Sequence, residues 1–278
     1  MTLTPAQTAV IAATEPYLLV SATAGAGKSR VLIERIKRLV RDGVKPERIT
    51  VICYTNAAAA VLVERISGEP ASATMTRAGS ERDAGRGRST SRVTDVLTSS
   101  PCAGSPLGFC GTLHGFLLRL LTRYGQVIGL CQSLSVVDEE EQEALMMDII
   151  EETAWKGSLT AVKKAIAEGP VHRLNPMTGA EIAAEGFWQR LKADGILTYD
   201  SILHHGERLL KAMSAKGIEL EVEHLLVDEA NDLSDSDWRI IDATNVPNVF
   251  IVGDSDQRIM SFRGASEEFE KRCKLATP

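Results

Sequence analysis

Lys28 and Ser29 close a run of small residues, Ala22, Thr23, Ala24, Gly25, Ala26 and Gly27, of the form [AG]xxxxGK[ST]. Small side chains let backbone N–H groups close around phosphate oxygens, and a helix beginning at such a run points its positive end at them. In that setting Lys28 supplies a fixed charge to the β- and γ-phosphates of a nucleotide, Ser29 offers a hydroxyl to Mg²⁺, and Arg30 opens the helix beside them. Phosphoryl transfer also needs a carboxylate near the metal and a base to orient water. The acidic pair Asp228 and Glu229, at the end of the apolar run HLLVDE, has both types. Asp228 reads as the metal carboxylate and Glu229 as the residue that polarises the attacking water. A second reading of the pair stays open, because Ser234, Asp235 and Asp237 follow closely and an acidic stretch there also suits a helix start.

These groups need strands to carry them. Residues 17–21 (YLLVS) are an apolar run leading into the small-residue loop, and Leu32, Ile36, Leu39 and Val40 then share one helical face. Residues 49–54 (ITVICY) form a second buried-strand pattern, followed by Ala58, Leu62 and Ile66 at a spacing of four. Two more apolar runs, 223–228 (EHLLVD) and 248–254 (NVFIVGD), each end on an acid. Strand and helix alternate, which is the pattern of a parallel sheet in an α/β fold. Periodicity vanishes between residues 67 and 106, where Ser, Thr, Gly, Arg and Pro dominate, and this stretch reads as a flexible surface insertion. Leu113, Phe116, Leu117, Leu120, Leu121 and Tyr124 make an apolar helical stripe, and helical segments broken by Gly and Pro follow up to about residue 215. Lys28 and Asp228 stand about 200 residues apart, as an inserted helical subdomain requires. The expected organisation is a sheet domain over 1–124 and 216–278, with the helical subdomain over 125–215.

Composition bounds the rest. The 278 residues carry 31 basic and 37 acidic side chains, a formal charge of -6, so any contact with nucleic acid is local rather than spread over a basic surface. Cys53, Cys102, Cys110, Cys131 and Cys273 are odd in number and lack metal-ligand spacing, consistent with reduced thiols. With no signal peptide and no apolar run of membrane-spanning length, a cytoplasmic location is expected. The pair His204 and His205 has no ligand partner at metal spacing and reads as surface, and Trp155, Trp188 and Trp238 read as packing residues.

Several further segments resemble, in order, the motifs of the UvrD/Rep type of superfamily 1 DNA helicases. Residues 3–7 (LTPAQ) resemble the Q motif, in which the glutamine, here Gln7, reads adenine. Tyr54, Thr55 and Asn56 resemble the motif FTNKAA, and Thr112 and His114 stand in a segment similar to the Thr-Phe-His-Ser motif; both lie along single-stranded DNA in the family. The run 227–232 (VDEAND) is similar to VDEAQD, and 252–265 resembles VGDDDQSIYGFRGA, so that Gln257 matches a γ-phosphate sensor, Phe262 a base-stacking aromatic, and Arg263 a link from that motif either to the DNA or to the VDEAND run. Residues 137–139 and 199–203 echo two more family segments.

The resemblance implies a RecA-like P-loop NTPase domain that binds ATP and Mg²⁺ and translocates on single-stranded DNA, 3′ to 5′. The departures are Asn231 for glutamine, Ala57 for lysine, Arg258 for serine, Met260 for tyrosine and Leu113 for an aromatic. The chain stops at Pro278, just past the last of these motifs. On the family's plan a second RecA-like domain or subunit supplies the arginine fingers, so this chain alone is expected to hydrolyse ATP poorly. The alternative is a non-motor module that binds nucleotide or DNA and regulates something else.

Overall fold

The computed structural model describes residues 2–23, 25–67, 107–131, 133–153, 155, 157–167, 178–254 and 267–276. Five strands, β1 (Tyr17–Ser21), β2 (Ile49–Ile52), β3 (Phe109–Gly111), β6 (His224–Val227) and β7 (Asn248–Gly253), form one parallel sheet in the order β1-β7-β6-β2-β3. A two-stranded parallel ladder joins β4 (Ser135–Val136) to β5 (Ile196–Leu197). The phosphate-loop strand β1 and the acidic strand β6 are therefore not neighbours. β7 runs between them.

Alternation along the strands splits the apolar side chains between two layers, because successive Cβ atoms point to opposite faces. Val51, Leu226, Phe250 and Val252 face one layer, made by α1 (Pro5–Ala12), α2 (Lys28–Arg41) and α3 (Asn56–Ser67) through Ile11, Leu32, Ile36, Ala59 and Leu62. Ile52, Leu225, Val227 and Ile251 face the other, made by α4 (Leu113–Tyr124), α8 (Tyr199–Ala215), α9 (Asp235–Ala243) and α10 (Glu268–Ala276) through Leu117, Leu209, Trp238 and Phe269. With both faces covered the strands read as continuous apolar runs, as parallel strands do.

A separate small core joins α5 (Glu139–Glu152), α6 (Leu159–Ala167) and α7 (Gly179–Asp194) through Met146, Ile149, Val162, Phe187 and Leu191. Each of α5 and α7 starts in a capping box, Asp138 with Glu141 and Thr178 with Glu181, which satisfies the orphan N–H groups of the first turn. Helix α8, expected from its place in the chain to belong to the helical subdomain, packs in the sheet's own second layer. Gly206 allows this: a Cβ there would lie 2.8 Å from both Cδ atoms of Leu117 on α4, so the two helices touch where no side chain intervenes. His205, expected at the surface, is half-buried, and burial pushes its imidazole down to about 4. No helix among the described residues is long and apolar enough to cross a membrane.

Candidate functional site

The strands of the main sheet finish within two residues of one another: Ile52 is opposite both Val227 and Gly111, Val227 is opposite Ile251, and β7 runs on to Gly253 opposite Ser21. The residues that follow their carboxyl ends line one edge of the sheet, where ligands bind in open parallel sheets. Across the strand order that edge carries the loop of residues 22–27, then Asp254, then Asp228 and Glu229, then Tyr54 to Asn56, and finally Thr112 and His114.

The loop is shaped by its backbone. Ala22 N donates to Gly253 O at 3.0 Å, which ties the loop's start to β7, and Ala26 N donates to Thr23 O at 3.1 Å. Gly25 and Gly27 sit at φ values of 77° and 84°, a left-handed region that side chains rarely tolerate. Gly27 is the N-cap of α2 and makes no side-chain cap, which leaves the helix's first N–H groups and its positive end facing the loop. Gln7 closes the loop from outside: its Nε2 donates to Ala26 O at 2.8 Å, and its Oε1 accepts from Thr4 N at 2.9 Å in the capping box of α1. Gln7 thus stands at the loop, with its amide engaged by protein backbone on both sides.

Lys28 is the centre of the charge arrangement. Its Nζ lies 3.6 Å from Glu229 Oε2, 3.6 Å from Asp254 Oδ2 and 3.4 Å from Ala22 O. The Asp254 side chain is only 1% exposed, whereas that of Glu229 is 39% exposed and faces open space. Asp228 is buried, and desolvation, with the negative Glu229 beside it, pushes its carboxyl up to about 6. Glu229 has a left-handed backbone, φ 52°, and its N–H donates to Asp228 Oδ1 at 3.1 Å. A non-glycine residue held there is strained, and such strain collects at functional sites. The acidic pair does not open α9, whose capping box is made by Ser234 and Asp237; Glu229 stands instead at the N-cap of a 3₁₀ turn, Ala230–Asp232, with no side-chain cap.

Asn231 bridges the acidic turn to the next strand: its Oδ1 accepts from Asp254 N at 3.0 Å and its Nδ2 donates to Asp232 Oδ1 at 3.2 Å. The shorter amide therefore spans the gap at this point. Asp254, which the motifs alone do not single out, stands beside Lys28. Its signal is present in the sequence, an acid closing the apolar run 248–254 in the same way that Asp228 closes 223–228.

The residues fit a magnesium nucleotide. A buried carboxylate raised toward neutrality is a poor anion until a cation compensates it, and Asp228 has that character. Among the described residues no group of three or more His, Cys, Asp and Glu is placed to hold a metal alone. Mg²⁺ takes one or two protein oxygens and completes its shell with phosphate and water, so Ser29 and Asp228 suffice as the protein's share.

At the other end of the edge Tyr54 is 41% exposed, and Thr55 and Asn56 are exposed beside it. Thr55 Oγ1 accepts from Ala58 N at 3.1 Å and so caps α3. Thr112 caps α4 by accepting from Gly115 N at 3.3 Å. His114, in the first turn of α4, meets the ring of Tyr199 edge-on with centroids 5.8 Å apart, and burial lowers its pKa, so the imidazole is neutral at pH 7. Tyr199 is 43% exposed and adds to this end an aromatic that the sequence motifs do not mark as a site residue. Ala24, Gln257, Phe262 and Arg263 lie outside the described residues, as does the insertion over 68–106.

A parallel sheet with a glycine-shaped loop and lysine after its edge strand, and acids after the next two, defines a RecA-like P-loop nucleotide-binding domain. The chain belongs to the UvrD/REP helicase N-terminal domain family, whose model matches residues 3–274. It is 29% identical over 280 residues to an ATP-dependent DNA helicase PcrA of Leuconostoc citreum, covering 94% of this chain and 33% of that protein. It is 24% identical over 281 residues to the protein of the same name in Staphylococcus epidermidis, covering 93% of this chain and 34% of the relative. An ATP-dependent helicase/nuclease polypeptide of Desulforamulus reducens is 36% identical over 152 residues, 54% of this chain and 11% of that protein. The chain thus spans about a third of the length of the PcrA relatives it matches.

Proposed function

We propose that this chain is the nucleotide-binding part of an ATP-dependent DNA helicase, holding Mg-ATP at the β1-β7-β6 end of the sheet edge and one face of a DNA single strand at the β2-β3 end. The observation that carries the reading is the Lys28 ammonium between Glu229 and Asp254, 3.6 Å from each, at the free N-terminus of α2. A lysine so held is neutralised before nucleotide arrives and exchanges its carboxylates for phosphate oxygens when it binds.

In this reading residues 22–30 wrap the phosphates, with Lys28 on the β- and γ-groups, and Gln7 stands at the adenine end. Ser29 and Asp228 would hold Mg²⁺, which would supply positive charge against the phosphates. Glu229, exposed and held off the sheet by its left-handed backbone, orients the attacking water. Gln257 is assigned as the γ-phosphate sensor. Tyr54, Thr55, Asn56, Thr112, His114, Phe262 and Arg263 are assigned to DNA, to which we add Tyr199.

Stepping along a strand, 3′ to 5′, takes two RecA-like units that open and close. We place the arginines that meet the γ-phosphate on a second such unit, in the same polypeptide or in a partner. Arginine fingers contribute on the order of 10³–10⁵ in rate in related phosphoryl transfers, so a polypeptide of residues 1–278 is expected to bind Mg-ATP and hydrolyse it slowly. The test is an equilibrium titration with Mg-ATP of this polypeptide and its Lys28→Ala variant, followed by turnover with and without single-stranded DNA. Equal nucleotide affinity in the two proteins overturns the site. Fast, DNA-stimulated turnover overturns the need for the second unit.

A further inference from the structure

We infer that Arg35 is a positioning residue for the nucleotide site, acting through α1 and Gln7 on the loop. This rests on the reading of residues 22–30 as the phosphate loop. Arg35 is 6% exposed in the third turn of α2, and no carboxylate is seen within ion-pair distance of it among the described residues. Its guanidinium lies across the C-terminus of α1 instead: Nη1 donates to Val10 O at 2.9 Å and Ala13 O at 3.1 Å, and lies 3.5 Å from Ile11 O. Arg38, one turn further on, donates to Ile11 O at 2.7 Å. A helix C-terminus carries about half a negative charge on its unpaired carbonyls, so α1 provides the countercharge that a buried guanidinium needs. The underside of the group is covered too, with Arg35 Cζ 4.5 Å from the ring centre of Phe250 on β7.

The other end of α1 bears on the loop. Gln7 Nε2 donates to Ala26 O at 2.8 Å, and a Cβ on Gly27 would meet that same nitrogen at 3.0 Å, so the amide is seated against the turn that opens α2. Helix α1 is thus an eight-residue strut beside α2, held at its C-terminus by two arginines of α2 and pressing its N-terminal glutamine on the residue two before Lys28. Loosening the arginine end lets Gln7 leave Ala26 while every side chain of residues 22–30 stays unchanged. Arg35 does not itself touch the loop.

The test is a double-mutant cycle with Arg35→Lys and Gln7→Ala in the full chain, reading Kd for Mg-ATP by titration and folding by thermal melting. Lysine keeps the charge but is shorter and lacks the planar guanidinium that lies over Phe250 while its Nη1 reaches Val10 O and Ala13 O. Each single variant is expected to weaken Mg-ATP by about fivefold, the scale of one net hydrogen bond. The double variant is expected to be no weaker than Gln7→Ala, because the two changes break one connection. Should Arg35→Lys not fold, Arg38→Met, which touches Ile11 O from a more exposed position, is expected to give the same non-additive loss. Wild-type affinity in folded Arg35→Lys or Arg38→Met, or losses that multiply in the double variant, overturn the inference. Lys28→Ala in the same titration separates the cases, since undiminished binding there overturns the phosphate-loop reading itself.

Discussion

The Lys28 ammonium sits 3.6 Å from the carboxylate of Asp254, and the two side chains are 8% and 1% exposed. A pair this buried is weak evidence for stability as a whole, but removing one partner leaves the other charge short of compensation. Asp254→Asn is therefore expected to lower the stability of the nucleotide-free protein by about 2 kcal/mol, less than for a fully isolated buried pair because Glu229 still faces Lys28. Phosphate can replace the lost carboxylate, so the thermal shift on adding Mg-ATP is expected to exceed that of the wild type. Melting curves with and without Mg-ATP check both, and an unchanged melting temperature of the nucleotide-free variant refutes the role given to this pair.

Asp228 gives a pH dependence of defined sign. Its carboxyl stands at about 6 in the folded chain against an ordinary 3.8, because it is desolvated and lies beside Glu229. A folded-state value above the unfolded one means that the folded chain holds the proton more tightly. The resulting stability is fully present below pH 3.8 and lost as pH rises through about 6. Asp228→Asn cannot ionise. Relative to wild type, its stability is expected to rise by about 1.5 kcal/mol between pH ~5 and pH ~7.5 in nucleotide-free urea unfolding. A difference that stays flat across that range contradicts the burial of an ionised Asp228.

The loop, the acidic pair and the strands that carry them were legible because their residue types are forced by what they do: small residues before Lys28, and uniform apolar runs before Asp228 and Asp254. The strand order was not legible. Nothing local to residues 17–21 or 223–228 says that β7 runs between them, since pairing in a parallel sheet is settled by packing at long range. Strand β3 escaped because Phe109–Gly111 is three residues long, too short to show a period, and α1 escaped because its eight residues gain their hold from Arg35 and Arg38 rather than from a strong apolar face. For helix α8 the packing against α4 was hidden for a similar reason. Its sequence shows a helix, while the glycine that decides which helix it meets looks like a neutral position until Leu117 is seen against it.

That contact makes Gly206→Ala a sharp test of the helix packing. The added methyl would lie 2.8 Å from both Cδ atoms of Leu117, a side chain with no exposed surface. Alanine raises intrinsic helix propensity by up to about 1 kcal/mol over glycine, which on an exposed helix would stabilise. Here overpacking of about 1–3 kcal/mol is expected to outweigh it, for a net loss. Leu117→Val in the same chain is expected to return part of that loss by making room. A more stable Gly206→Ala single variant in chemical denaturation would show that α8 and α4 do not meet at this point.

Tyr54 and Tyr199 carry the last prediction, which concerns the β2-β3 end of the edge. Both rings are more than 40% exposed, and Tyr199 packs edge-on with His114 rather than under the surface. A chain with formal charge -6 has little general attraction for DNA, so binding at this end depends on base stacking and a few local contacts more than on counterion release. Stacking on one aromatic is worth about 1–3 kcal/mol per base by alanine substitution. Tyr54→Ala and Tyr199→Ala are each expected to raise the Kd for a single-stranded oligonucleotide by at least about fivefold, with the melting temperature and Mg-ATP affinity unchanged. Tyr→Phe at either position is expected to bind like wild type, because the ring face and not the hydroxyl meets the base. Fluorescence anisotropy at low salt reads the four variants, and wild-type DNA affinity in both alanine variants removes this end of the edge from the DNA path.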